Sequence, residues 1–237
     1  MQNTAQNMLW QELAVFGSCD VADALSTLGV RGFIPNINLL APHSLDLNVK
    51  VIGPAYTVKM VKIGDITKSA DNRPIRSDHF VDKLPEGAVL VITAPHDCTN
   101  AVVGGLLAGR AKVRGARGIV ADGRVRDLAE LQALGLPVFA RGLSCTGTRG
   151  RVRPAPCTED SGPASVTVEH GEDSMPILVT SGDTMVADVN GVMRIPAAHL
   201  ARVVELCQKS RPIEERCMAD IQAGHGFQKT LAKYRPS

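Results

Sequence analysis

Residues 104–141, GGLLAGRAKVRGARGIVADGRVRDLAELQALGLPVFAR, carry the pattern that decides the fold. Immediately before them, AVLVITA at 88–94 is a continuous apolar run rich in β-branched residues, the pattern of a strand buried on both faces. Gly104 and Gly105 open a segment with Leu106, Leu107, Ala108, Ala111 and Val113, and Gly115 stops it, which predicts a helix. Residues 118–121 read as a second strand leading into a turn at Asp122-Gly123. A second helix is predicted from about Arg124 to Leu134, with Leu128, Leu131 and Leu134 on one face and Gly135 and Pro137 closing it. Residues 137–140 supply a third strand. Strand, helix, strand, helix, strand at these spacings predicts parallel βαβ units with right-handed crossovers, and hence an α/β protein.

In such a sheet both helices start beside the carboxyl ends of their strands, where open α/β sheets bind ligands. Two helix N-termini with free N–H groups would border one crevice suited to an anion, and two glycines would let a ligand approach the backbone. Arg126 and Asp127 fall in the first turn of the second helix on this reading, pointing roughly 100° apart. Arg126 could fork onto a carboxylate or a developing oxyanion while Asp127 holds a hard divalent cation. The plainer reading of the same pair is a first-turn acid favoured by the helix dipole beside a solvated arginine.

The order GGLLA, a short helix, then GIVADGRVRD resembles the RraA-like family. This family includes class II pyruvate aldolases acting on 4-hydroxy-4-methyl-2-oxoglutarate and 4-carboxy-4-hydroxy-2-oxoadipate, and proteins named as regulators of ribonuclease activity. The resemblance extends over most of the chain through CDVADAL at 19–25, GPAYTV at 53–58, SGD at 181–183 and ADVNGV at 187–192. It implies an α/β/β sandwich with a central parallel βαβ unit and a second antiparallel β layer. Position by position, Arg126 matches the arginine on the pyruvyl oxygens, Asp127 the metal-binding aspartate, and Gly104, Gly105, Leu106 and Leu107 the loop whose N–H groups hold the substrate carboxylate.

The resemblance further implies Mg²⁺ or Mn²⁺, a 2-oxo acid substrate, and a trimer or dimer of trimers. In the aldolases a glutamate from a neighbouring subunit's C-terminal helix completes the site; Glu214 is the best positional match, with Glu215 close behind. The aldolases carry an aspartate where this chain has Gly105. That departure favours oxaloacetate decarboxylation, which needs the same pyruvate enolate but no base on an aldol hydroxyl. The implied function is a lyase cleaving a C–C bond of a 2-oxo acid. The alternatives are a non-catalytic protein-binding regulator and a lyase of the same fold acting on a specialised metabolite, the intact Arg126-Asp127 pair favouring the enzyme.

Working outward, 237 residues with 44% hydrophobic and 21% charged composition fit a globular protein, and one Trp, two Tyr and five Phe leave a core of Val, Leu, Ile and Ala. A net charge of +2, with basic clusters at 110–117 and 149–153 free of interleaved aromatics, argues against a nucleic-acid partner. Six cysteines without a CxxC pair argue against a zinc ribbon or disulfide framework. No charged leader or run of ~20 apolar residues suggests a signal peptide or membrane span, so the expected location is cytoplasmic.

Met8, Leu9, Trp10 and Leu13 predict a short amphipathic helix, and Ser18 an N-cap for a helix carrying Val21, Ala22, Leu25 and Leu28. Asp20 and Asp23 on it are better explained by the dipole than by a metal. Residues 30–48 read as an irregular connection, 49–61 as one or two strands, and 64–78 as a polar loop. In residues 95–100, PHDCTN, a loop is the plain reading for His96 and Cys98, and Asn100 is a candidate ligand contact. Residues 142–162 form a Gly/Pro-rich loop; 165–169, 177–180, 184–187 and 192–195 read as antiparallel strands. Helices are predicted over 197–207 and from Pro212 to Ala223. One domain over residues 1–237, with a C-terminal helical arm from about 197, is the expected organisation.

Overall fold

A computed structural model describes residues 2–42, 47–63, 79–155, 165–168 and 175–235, with only the backbone of residues 2–4. The expected loop at 64–78, part of that at 142–162, and Cys157 lie outside the described residues. The fold is mixed α/β, built on one curled sheet. Its strands in order of introduction are β1 (Phe33–Ile34), β2 (Asn38–Ala41), β3 (Lys50–Lys62), β4 (Val89–Thr93), β5 (Ala101–Val103), β6 (Gly118–Val125), β7 (Val138–Leu143) and β8 (Val152–Pro154). A separate antiparallel pair, β9 (Ser165–Val168) and β10 (Ile177–Thr180), follows, and β11 (Thr184–Asp188) and β12 (Gly191–Ile195) return to the main sheet. The helices are α1 (Gln2–Leu13), α2 (Ser18–Thr27), α3 (Gly105–Val113), α4 (Leu128–Leu134), α5 (Leu200–Gln222) and α6 (Phe227–Tyr234).

The parallel unit is as the sequence predicts: β4 lies between β3 and β6, and β6 pairs β7, all parallel. Every residue of β4 is buried, which explains its unbroken apolar run. Helices α3 and α4 cover one face through Ala108, Ala111 and Leu131, packed on Leu90, Ile92, Ile119 and Ala121. On the other face Val89, Val91, Val120 and Phe139 meet Val166, Val168, Ile177 and Val179 of β9 and β10. The second β layer differs from expectation by being divided. β3 is long enough to pair β11 with Lys50–Pro54 and β4 with Ala55–Lys59, so β11 and β12 join the main sheet and β9–β10 stands apart. A third layer, α1, α2 and α5, covers the outer face of β11 and β12 through Leu13, Val21, Leu25, Val203 and Val204.

Several local expectations are corrected. Asp122-Gly123 is not a turn but the interior of β6: Asp122 is buried against Arg141 of the next strand, and β5 pairs the extended end of β6. Helix α4 accordingly starts at Leu128, so Arg126 and Asp127 precede it. Residues 30–48 contain β1, paired to β12, and β2, an edge strand antiparallel to β7, both too short to show a period. The N-cap of α2 is Gly17, whose N–H donates to Asp20 Oδ2 at 2.7 Å, while Ser18 points its hydroxyl at Asp188. Residues 200–222 form one helix through Pro212, whose exposed position lets water take the carbonyl that the missing N–H leaves unpaired. No helix among the described residues is long and apolar enough to cross a membrane.

Candidate active site

β6 ends at Val125, and the next two residues turn the chain toward α4 at the carboxyl edge of the sheet. The Arg126 N–H donates to the Val103 carbonyl at 3.0 Å, which ties this turn to the end of β5, one residue before Gly104. Asp127 then adopts φ +61° and ψ 44°, left-handed backbone that is uncommon outside glycine and that aspartate and asparagine enter more readily than other side chains. Such backbone at the mouth of a sheet is a common mark of a working residue. It folds the carboxylate back over the start of α3, where Gly105 N–H donates to Asp127 Oδ2 at 3.0 Å. The Arg126 Nε lies 3.5 Å from the same oxygen. Among the described residues Asp127 Oδ1 has no partner.

The space beside the two glycines is filled by neighbouring side chains. A β-carbon on Gly104 would stand 2.7 Å from Asp127 Oδ2 and 3.1 Å from Arg126 Nε. At Gly105 the room is already occupied: the Glu130 carboxyl carbon is 2.8 Å from where a β-carbon would stand, and one carboxylate oxygen overlaps that point. Glu130 sits three residues after Asp127, in the first turn of α4, so one helical turn carries its carboxylate across to the start of α3. The carboxylate that the resemblance says is missing at residue 105 is therefore present from another position.

The expected residues fall into two groups. Gly104, Gly105, Leu106, Arg126 and Asp127 come together around the start of α3, with Leu107 half-buried behind and Leu106 92% exposed. Arg126 and Asp127 are not first-turn helical residues, and the seven-residue α4 does not contribute a second anion-binding terminus. The α3 terminus, with the N–H groups of Leu106 and Leu107 lacking intrahelical acceptors, remains. Asn100 turns to the chain itself, donating from Nδ2 to the Gly147 carbonyl at 2.6 Å. Glu214 is on α5, in the helical layer opposite α3 and α4, where Arg235 holds it at 2.9 Å; Glu215 pairs with Arg211. His96 is exposed, Cys98 is partly buried, and Asp97 between them is ion-paired with Lys62.

Sequence reading missed Glu130 and Gly147. Glu130 had a signal: arginine, aspartate and, three residues on, glutamate, with a glycine where the aldolases have aspartate. Gly147 had none, because its contact with the guanidinium joins segments far apart in sequence.

The electrostatic balance bears on what can bind. One guanidinium against the carboxylates of Asp127 and Glu130 leaves the cluster net negative, with hard oxygen donors partly open to solvent. Asp127 is the carboxylate best placed to share an oxygen with a hard cation, since Oδ1 is uncommitted. No group of three or more His, Cys, Asp or Glu side chains gathers for a metal among the described residues, so an ion here would take its remaining ligands from water and a substrate.

The model of the RraA-like family, described as Aldolase/RraA, matches residues 18–194. The chain belongs to the RraA-like family. Protein DlpA of Legionella pneumophila is 31% identical over 237 residues; the match takes in 98% of this chain but 34% of DlpA, so the chain spans about a third of that relative's length. An RraA-like relative from Halalkalibacterium halodurans, provisionally named a 4-hydroxy-4-methyl-2-oxoglutarate aldolase, is 30% identical over 171 residues, 72% of this chain and 71% of that protein. The crystal structure of an uncharacterized protein from Pseudomonas syringae superposes with a TM-score of 0.74 over 94% of this chain and 96% of that one, at 23% identity, a likeness of fold.

Proposed function

We propose that this RraA-like protein is a divalent-metal-dependent lyase that cleaves the C3–C4 bond of a 2-oxo acid, by decarboxylation of oxaloacetate, by retro-aldol cleavage of substrates like 4-hydroxy-4-methyl-2-oxoglutarate, or both. The observation that carries this reading is the convergence of Arg126, Asp127 and Glu130 on the two glycines that open α3. The name of the Halalkalibacterium halodurans relative points the same way.

The roles follow from the chemistry of each group. The substrate carboxylate accepts from the N–H groups of Leu106 and Leu107, with Gly104 and Gly105 keeping side chains out of its path. Arg126 presents its planar fork to the 2-oxo and carboxylate oxygens and stabilises the negative charge that grows there as the bond breaks. Asp127 holds Mg²⁺ or Mn²⁺, which supplies Lewis-acid polarisation of the 2-oxo group. Glu130 takes the proton from the C4 hydroxyl in a retro-aldol cleavage and serves to return one to C3. In decarboxylation only the second task remains, so that reaction leans less on Glu130.

Leu106, almost fully exposed beside the site, and Glu214, held in the opposite layer of its own chain, support an assembly in which a neighbouring subunit covers the first and supplies the second. We infer a homotrimer or a dimer of trimers on that basis.

The deciding experiment follows pyruvate release from oxaloacetate and from 4-hydroxy-4-methyl-2-oxoglutarate, with and without Mg²⁺ or Mn²⁺, for the wild type and Asp127→Ala, after subtraction of the spontaneous metal-catalysed decay of oxaloacetate. Metal-dependent turnover in the wild type that disappears in the variant supports the reading. A folded oligomer that turns over neither substrate refutes it for both, and an unaltered metal response in Asp127→Ala removes that residue from the site.

A further inference from the structure

Beyond the groups assigned above, one contact bears on how Arg126 is held. A β-carbon on Gly147 would stand 3.3 Å from Arg126 Nη1, 3.4 Å from Cζ and 3.8 Å from Nη2, so the guanidinium lies against the bare α-carbon of Gly147. Gly147 belongs to a tongue, residues 144–147, that leaves the end of β7 and runs beside β5. Backbone contacts fasten it: Ser144 N–H donates to the Val125 carbonyl at 2.9 Å, and Ala101 and Gly147 form a parallel bridge in which Ala101 N–H donates to the Thr146 carbonyl at 2.8 Å. Among the described residues, the side chain that hydrogen-bonds the platform residue is that of Asn100, whose Nδ2 donates to the Gly147 carbonyl at 2.6 Å. A carbonyl can only accept, so this bond sets which end of the amide faces the tongue.

We propose that Asn100 is a positioning residue: it fixes Gly147 as a platform that orients the Arg126 guanidinium, and it acts on turnover through Arg126 without touching substrate. Arg126 is 46% exposed, and among the described residues its ion-pair partner, Asp127 Oδ2, is 3.5 Å away. A long side chain so loosely tethered samples several rotamers in water, and a bidentate contact works only in one of them. The platform removes that freedom from one face of the fork, and Asn100 sets its height. Glycine at 147 sets the same height, because a methyl group there would make the guanidinium give by a few tenths of an ångström. The inference rests on the proposed role of Arg126 for its kinetic consequence, and on geometry alone for its structural one.

Two measurements test the two parts separately. Asn100→Ala and Asn100→Asp, which keeps the shape but offers an acceptor to a carbonyl, are made in the wild-type and Arg126→Lys backgrounds, and kcat and KM are measured with oxaloacetate. In the wild-type background each lowers kcat/KM about 10- to 50-fold with little change in thermal midpoint, and in the Arg126→Lys background by less than about 2-fold, the non-additivity of residues that act through one another. Equal losses in both backgrounds would overturn the proposal by making Asn100 an independent ligand contact or a purely structural residue. The second measurement needs no turnover: the ¹⁵N relaxation of the Arg126 Nε–H group should show an ordered side chain in the wild type and an order parameter below about 0.6 in Asn100→Ala and Gly147→Ala. An Arg126 signal equally ordered in Asn100→Ala refutes the platform. If the wild type releases no pyruvate, the lyase reading falls while the relaxation result still decides the positioning.

Discussion

Asp127 and Asp188 both lie in stretches that resemble the same family, and the fold uses them in opposite ways. Asp188 is buried and saturated: its two oxygens accept from Ser18 N–H at 2.7 Å, the Ser18 hydroxyl at 2.6 Å and Asn190 N–H at 2.9 Å, which pins the start of α2 to the end of β11. Asp183 is its companion, accepting from Thr180 N–H, Arg194 Nε and Ala197 N–H. Asp127 accepts one backbone N–H, keeps an oxygen uncommitted, and holds left-handed backbone to do so. A carboxylate with both oxygens committed builds the fold, whereas one with an oxygen left over at a left-handed position is available to a ligand. The stretches at 181–183 and 187–192 thus serve the framework through Asp183 and Asp188, unlike the central stretch that carries Asp127.

The comparison is broken most directly by exchanging the effects. Asp127→Ala should lower kcat/KM by about 10³-fold or more while lowering the denaturation midpoint only slightly, read from metal-dependent pyruvate release beside a urea titration. Asp188→Ala should do the reverse: about 3 kcal/mol of stability lost, because Ser18 keeps two buried donors with no acceptor, and near wild-type turnover per folded molecule. If Asp188→Ala retained full stability but lost turnover, saturation would not be the criterion that separates the two aspartates.

Glu130 sharpens it next. Glu130→Gln should cost retro-aldol cleavage about 10²-fold and decarboxylation several times less, and the double variant Gly105→Asp with Glu130→Ala should recover part of the aldol rate, since the two positions compete for one space. Recovery in Gly105→Asp alone, with Glu130 in place, would contradict that competition. Subunit sharing is read by mixing: Arg126→Lys and Glu214→Gln proteins, each strongly impaired alone, should regain part of the wild-type rate after co-refolding if Glu214 serves a neighbour's site, whereas a fully active Glu214→Gln protein would remove Glu214 from the site.

The smallest effect concerns the far helical layer. Burial, reinforced by the negative charge of Asp20, pushes the Cys207 thiol up to about 12 from an ordinary 9.0. The folded state therefore keeps a proton that the unfolded state releases, so this contribution is intact below pH 9 and is lost as pH rises toward 12. Urea titrations should show stability falling by up to about 1.4 kcal/mol per pH unit in that window, and Cys207→Ala should flatten the slope. Alkylation at pH 8 should likewise reach the exposed Cys19 and Cys145 well before Cys207.

Much of this was legible in advance, for reasons that can be stated residue by residue. β4 and the first half of β6 were visible because strands buried on both faces must be apolar throughout. The rest of β6 was hidden because Asp122 is tolerated inside a strand by an arginine nineteen residues away, a pairing that no window of sequence contains. The edge strands β1 and β2 were too short to have a period, and α5 passes Pro212 on a solvent-exposed face where the lost bond costs least. At the site, Arg126 and Asp127 were evident from the motif, but their setting was not. Placing them in a helix concealed both the left-handed turn at Asp127 and the reach of Glu130 over Gly105.

The left-handed backbone of Asp127 has a consequence for anyone evolving this protein. Glycine holds that conformation freely and asparagine more easily than most residues, so Asp127→Gly relieves a cost of order 1 kcal/mol. A library ranked only on heat resistance is therefore open to change at residue 127, and survivors altered there will lack the carboxylate proposed to hold the metal. Thermal selection on this scaffold leads away from catalysis unless turnover is scored in the same round.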